Sequence, residues 1–306
     1  MAPSPASSRN VAQRPSRTQR PSRTKRRLVA VTSLGLAGLL AGLLSGCSSG
    51  SPTTVSSGPL TSTYASVTGN WQFSSTAAAA ARLSVLGGSL SVDGTAVTGI
   101  LHPLAAAGQC VDTSVAIPVT GSIDASSHLS LSAKLLGGAF SLSGTLSEDR
   151  KSLTDASYTV TGGSCAFPSA QTISARDTTS PVTAVQYTPI SGTYTGTLTT
   201  SENEQFTLSS VITQSTTPDA NGIYHVAGTA SSPGNSCLPL TLPATASTVV
   251  GGNITTTYSD GQGTTVTGAG NTSVDGKTIT INSWNIASAC GTDTGTGVLT
   301  QQPPTP

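Results

Sequence analysis

From Tyr64 onward the chain is written twice, with a period of about 125 residues, and that repetition is the strongest constraint on what it can fold into. Tyr64-x-x-Val67-Thr68-Gly69-Asn70-Trp71 returns as Tyr187-x-x-Ile190-Ser191-Gly192-Thr193-Tyr194. Cys110 and Cys165 return as Cys237 and Cys290. Ser147-Glu148-Asp149-Arg150-Lys151-Ser152-Leu153-Thr154, followed by Tyr158, returns as Ser273-Val274-Asp275-Gly276-Lys277-Thr278-Ile279-Thr280, followed by Trp284. Landmarks in the same order, drifting by only a few residues, are what loop insertions leave after a duplication. The expected organisation is one domain over 64–176, a connector over 177–186, a second domain over 187–301 and a short tail at 302–306.

Each unit has the texture of antiparallel strands. Segments such as HLSLSAKL, AFSLSGTLS and SVAIPVTGSID place apolar residues two apart and are bounded by Gly, Asp or Ser. Charged residues make up only 9% of the chain, and Ser, Thr, Gly and Ala stand where surface helices would carry Lys and Glu. The prediction is an all-β protein of two tandem antiparallel domains, with seven or eight strands each, as meander barrels or as sandwiches. Asp93-Gly94, Asp275-Gly276 and the Asp219-Ala220-Asn221-Gly222 stretch read as hairpin turns, because Gly permits positive φ and Asp satisfies a backbone donor.

The N-terminal region follows a different logic. Eight of the fourteen basic residues fall within the first 27 positions, then come seventeen uncharged residues (28–44) and Leu44-Ser45-Gly46-Cys47. This order is a signal peptide over 1–46 with a long basic n-region. Leu44-Ser45-Gly46-Cys47 resembles the lipobox of bacterial lipoproteins. The resemblance implies cleavage before Cys47 and acylation of its thiol with two or three chains, which hold a protein to a membrane where one would be marginal. Residues 47–63 are rich in Ser, Gly, Pro and Thr and read as a flexible tether. Ser48 is not the Asp that favours inner-membrane retention in diderm lipoproteins, so the resemblance implies the outer membrane in such a cell. Gly69-Asn70-Trp71 resembles the G-x-W of lipocalins, whose Trp plugs an eight-stranded up-and-down barrel. It covers three residues, unit two departs from it at Tyr194, and it implies a topology but no binding residues.

Beyond Cys47, four cysteines remain, two per unit, in a chain expected to be exported. Equivalent placement favours the disulfides Cys110–Cys165 and Cys237–Cys290, each inside one domain. No CxxC or histidine pair suggests a metal, and no cofactor motif is present. His102, His128 and His225 have no counterparts between the repeats and no G-x-S-x-G elbow accompanies them, so they read as surface or strand-face residues. Glu202 and Glu204 in SENEQ read as a polar hairpin end, and the matched aromatics Trp71 with Tyr194 and Tyr158 with Trp284 as core. After Cys47, six basic residues face thirteen acidic ones, a net charge of −7 that argues against nucleic acid. The expected function is that of a non-enzymatic envelope lipoprotein binding a small ligand, a glycan or an envelope partner. The alternatives are a structural or adhesive surface protein and, after that, a hydrolase.

Overall fold

The structure, a computed structural model, describes residues 66–304 other than 77–82, 105–110, 112, 136–137, 163–177, 236–237 and 239–240. The expected signal peptide over 1–46, Cys47 and its tether over 47–63, and Cys110, Cys165 and Cys237 lie outside the described residues.

The first unit is a closed up-and-down barrel of β1 (Gly69–Ser75), β2 (Val85–Asp93), β3 (Ala96–Pro103), β4 (Ile117–Ile123), β5 (His128–Leu135), β6 (Gly138–Leu146), β7 (Ser152–Gly162) and β8 (Thr178–Tyr187). Each strand pairs antiparallel with the next, and β8 returns to β1 with Tyr187 opposite Asn70. The second unit repeats the plan with β9 (Ser191–Thr200), β10 (Gln205–Gln214), β11 (Tyr224–Ser231), β12 (Leu242–Pro243), β13 (Ser247–Val250), β14 (Asn253–Ser259), β15 (Thr265–Thr272), β16 (Thr278–Ser288) and β17 (Gly291–Gln301). Both β12 and β13 pair with β11 and share one place in the wall, so this barrel also has eight strand positions; β17 closes it against β9. Of the two architectures the alternation allowed, the chain adopts the meander barrel, twice.

One boundary is corrected. The segment 177–186, expected to be a connector, is almost entirely β8, and without it the first barrel would not close. Its Thr-Thr-Ser-Pro opening reads as linker, yet Val182 and Ala184 alternate inward and are buried. Pro181, which has no N–H to give a ladder, pairs with Ser157 at the edge of a bulge in β7, where the register has already slipped. The chain therefore passes from one barrel to the other through Thr188–Ile190.

The duplication extends to individual hydrogen bonds. In the turn after β6, the Ser147 hydroxyl donates to the Asp149 carboxylate at 2.6 Å, which also accepts the Lys151 N–H at 3.0 Å. In the turn after β15, Ser273 donates to Asp275 at 2.6 Å and the Lys277 N–H reaches it at 3.1 Å. At the start of β1 and β9, Gln186 and Gln301 each donate a side-chain amide to a backbone carbonyl, of Thr68 and Ser191 respectively, at 2.7 Å. Gly69 (φ 150°) and Gly192 (φ 130°) make room for these amides; a Cβ at Gly69 would collide with Gln186.

These turns carry a pH dependence. Asp149 and Asp275 lie below the ordinary carboxyl range, chiefly through the Ser147 or Ser273 hydroxyl and next through the Lys151 or Lys277 N–H. A carboxyl with a depressed folded pKa contributes stability above its unfolded pKa and loses it as pH falls through the folded one. Thermal melting is expected to hold steady down to about pH 4, the unfolded range of Asp, and to fall below it. The double variant Asp149→Asn, Asp275→Asn should show a shallower fall; an unchanged acid profile would contradict this account.

Strand alternation fills both interiors. In barrel one Trp71 stacks on Phe73 with centroids 6.1 Å apart, and Phe140 lies 5.8 Å from Tyr158. The Trp71 indole donates to the Val67 carbonyl at 2.7 Å, and the Tyr158 hydroxyl donates to that of Leu83 at 2.6 Å, so neither buried polar tip is orphaned. In barrel two the Tyr194 hydroxyl donates to the Gly276 carbonyl at 2.5 Å, and Trp284 meets the edge of Phe206 at 5.5 Å. All four matched aromatics are core residues.

Candidate functional site

The two barrels share one compact unit and meet through a short set of directional contacts. Asn70, on β1 and only 3% exposed, donates its amide to the Gly251 carbonyl at 2.8 Å and accepts the Gly251 N–H at 2.7 Å. Its neighbour on the same strand, Gln72, accepts the Gly252 N–H at 2.9 Å. The turn between β13 and β14 is thus gripped by side chains of the other barrel as a strand neighbour would grip it. A second contact runs from His102 on β3, whose Nε2 donates to the Asn221 carbonyl at 2.7 Å in the loop between β10 and β11.

Beside these contacts lies a crevice of about 690 Å³ whose wall includes Asn70, Ile100, Lys151, Tyr187, Gln214 and Tyr224. The volume falls within the range of small-molecule sites, and a junction between domains is a common place for one. Some polar groups on the wall are already engaged. Both amide atoms of Asn70 are held by Gly251. The Asp219 carboxylate accepts the Asn221 N–H at 2.8 Å, the Ile223 N–H at 3.0 Å and His225 Nε2 at 3.1 Å. Its pKa lies below the ordinary range, first because of the Ile223 N–H.

The side chains on the wall that make no hydrogen bond among the described residues include the hydroxyls of Ser89, Ser91, Thr98, Thr188, Thr216 and Thr217, and three larger groups stand out beside them. Gln214 is 5% exposed; its carbonyl oxygen accepts the Ile190 N–H at 3.1 Å, while its amide N–H groups meet no acceptor among the described residues. Tyr224 is 4% exposed and its hydroxyl has no hydrogen-bond partner among the described residues, and neither has that of Tyr187. Both are protonated donors at neutral pH, as phenols ordinarily are, and burial pushes both pKa values further up. Buried polar groups in native proteins are nearly always satisfied, so such a cluster calls for an external partner.

The barrel interiors offer less. Barrel two encloses an apolar cavity of about 40 Å³ between residues such as Leu198, Ile254 and Trp284, well below the roughly 150 Å³ that accommodates benzene. On its wall the Tyr258 hydroxyl is 3.0 Å from Ser210 Oγ, whose own proton goes to the Thr229 carbonyl at 3.0 Å.

The residues singled out in the sequence are scattered. His102 sits at the barrel junction, His128 is exposed beside Thr145, and His225 pairs with Asp219 with its side chain 60% exposed. Glu202 and Glu204 occupy the turn between β9 and β10, as the polar hairpin end expected there, and with Asp293 line the mouth of barrel two. Among the described residues no group of three or more His, Cys, Asp or Glu is placed to hold a metal ion. Cys290, at the hairpin between β16 and β17, is disulfide-bonded. Sequence reasoning missed Gln214, Tyr187 and Tyr224 as a group. A signal for Asn70 did exist: the repeats differ there, with Thr193 at the equivalent position of unit two.

No protein-family model matches this chain, and no curated protein matches it. One solved structure shows a likeness, a protein of unknown function from the DUF3598 family of Nostoc punctiforme PCC 73102. It is 10% identical, with a TM-score of 0.22 over 77% of this chain and 96% of that one. At that TM-score the likeness carries no argument about fold or function.

Proposed function

We propose that this protein is an envelope lipoprotein, held to a membrane by acyl chains on Cys47, that binds a small ligand in the crevice between its barrels without catalysing a reaction. The observation that carries the binding reading is the pair of nine-tenths-buried, unpartnered groups, the Gln214 amide and the Tyr224 hydroxyl, on the wall of a crevice of ligand size. Anchoring rests on Leu44-Ser45-Gly46-Cys47, and Ser48 favours the outer membrane in a diderm cell. Disulfides Cys110–Cys165 and Cys237–Cys290 belong to the same reading, supported by matched placement in the repeat and by the bonded state of Cys290. The non-enzymatic reading is supported by His102, which spends its Nε2 proton on a backbone carbonyl, and by His225, whose Nε2 is held by an Asp219 already engaged in a turn.

A structural or adhesive role has one observation in its favour. The outward positions of β9, β10 and β17 are largely Thr, with the exposed Val211 and Val298 among them, which makes an uncharged wall suited to contact. The two readings part in one experiment, native mass spectrometry of the full chain purified from envelopes in mild detergent. A co-purifying ligand should be lost in Ile100→Trp, which fills the crevice, and retained in Val211→Trp, which alters the outer wall. Retention in Ile100→Trp would remove the crevice from consideration.

A further inference from the structure

Resting on the crevice as the binding site, we infer that its ligand is an uncharged, oxygen-rich molecule of the saccharide class, held by hydrogen bonds donated from Gln214, Tyr187 and Tyr224. The hydrogen-bond inventory of the wall leads there. Gln214 gives its carbonyl oxygen to the Ile190 N–H, so what it offers a ligand is two N–H donors. The hydroxyls of Tyr187 and Tyr224 add one donor each, protonated at neutral pH as phenols ordinarily are. The carboxylate that a cationic ligand would need, Asp219, is engaged by two backbone N–H groups and His225, and the Asn70 carbonyl oxygen by Gly251.

Charge selects further. Among the described residues Lys151 is the one cation on the wall, and its field is shared with Asp149, whose pKa it helps to lower. A site built for an anion would concentrate cations or fork an arginine toward it. Neutral hydroxyl and ether oxygens take these donors without requiring charge, and a sugar's own hydroxyl protons can go to the wall hydroxyls of Ser89, Ser91 and Thr98. The apolar part of the wall, with Ile100, Leu90, Pro189 and the ring of Tyr187, suits the C–H face of a pyranose.

The test is nuclear magnetic resonance titration of the full mature chain in detergent micelles. The probes are neutral trisaccharides (maltotriose, cellotriose and chitotriose), the anionic trigalacturonate, and the apolar fluorophore 1-aminoanthracene. Expected are shifts confined to crevice residues with at least one neutral trisaccharide, and binding at least tenfold weaker for trigalacturonate. Tyr224→Phe should weaken saccharide binding about 2- to 10-fold, the worth of one net hydrogen bond, while the melting temperature of the free protein stays level or rises. Tyr258→Phe, whose hydroxyl has Ser210 as its partner, should instead lower the melting temperature. Gln214→Glu keeps the acceptor for Ile190 and removes the donors, so it should abolish binding. Crevice shifts with trigalacturonate or the fluorophore but no neutral sugar would overturn the saccharide assignment and leave the site standing. Shifts with none of the probes, together with a destabilised Tyr224→Phe, would overturn both, because the hydroxyl would then be bonded within the fold.

Discussion

Replacing Cys47 by alanine is expected to abolish lipid attachment completely. The thiol of Cys47 is the only nucleophile at the position the lipobox presents, and the resemblance to bacterial lipoproteins makes acylation the step that licenses cleavage. Clickable fatty acid should therefore label the wild type and leave Cys47→Ala unlabelled, and the variant should migrate as a precursor that retains residues 1–46. The energetic stake is large. A single myristoyl chain binds a bilayer only marginally, and each additional buried methylene contributes about 0.8 kcal/mol, so five more are worth roughly a thousandfold in partitioning. Wild-type protein should accordingly resist high-salt washing of membranes. The barrels begin well beyond Cys47, so their thermal transition should be the same in both proteins. Undiminished labelling of Cys47→Ala would end the lipoprotein reading.

Asn70→Ala should produce the largest loss of stability at the junction between the barrels. The substitution strands the N–H and the carbonyl of Gly251, both buried against β1, and each unsatisfied group costs about 1–3 kcal/mol. A total of roughly 2–6 kcal/mol would lower the melting temperature by roughly 4–24 °C in a domain pair of this size. Asn70→Asp keeps the acceptor for the Gly251 N–H and sets a carboxylate against its carbonyl, so it should be no milder. Thr193→Ala, at the matching place on barrel two, removes no such bond and should be nearly silent. Differential scanning calorimetry decides the matter, and the junction predicts more than a lower midpoint. With the barrels released from each other, a single transition should begin to separate into two. Equal effects at Asn70 and Thr193 would mean that Asn70 stabilises its own barrel rather than the pair.

The duplication and the strand texture were legible because both are local or periodic. Inward positions recur every second residue, and Trp71, Tyr158, Tyr194 and Trp284 are each buried where the repeat places them. Strand β8 escaped for a definable reason. From Cys165 to Gln186 is 21 residues, but from Cys290 to its counterpart Gln301 is only 11, so the last strand falls out of step with the landmarks before it. Its Pro181 then reads as a linker residue, and nothing local announces the bulge in β7 that tolerates it. The crevice was illegible because it joins residues remote in sequence. Asn70 and Gly251 are 181 positions apart, and Gln214 and Tyr224 face Tyr187 only after both barrels have closed. Tyrosine and glutamine in strands look like ordinary wall residues until their hydrogen-bond partners can be counted.

The grip of Asn70 on the β13–β14 turn also bears on how many barrels such a chain can string together. The contact is heterologous: a strand of one copy holds a turn of the other, an arrangement that can in principle repeat head to tail without end. Here the residues at both equivalent positions differ. The free copy of the gripping position, on barrel two, is Thr193, which is too short and has the wrong donor set to clasp a turn in the same way. The free copy of the gripped turn, between β4 and β5 of barrel one, carries Asp124, whose carboxylate is occupied by the N–H groups of Ser126 and His128, both at 2.9 Å. Divergence after duplication has thus kept one docking contact and changed the residues at the two places where it could be repeated.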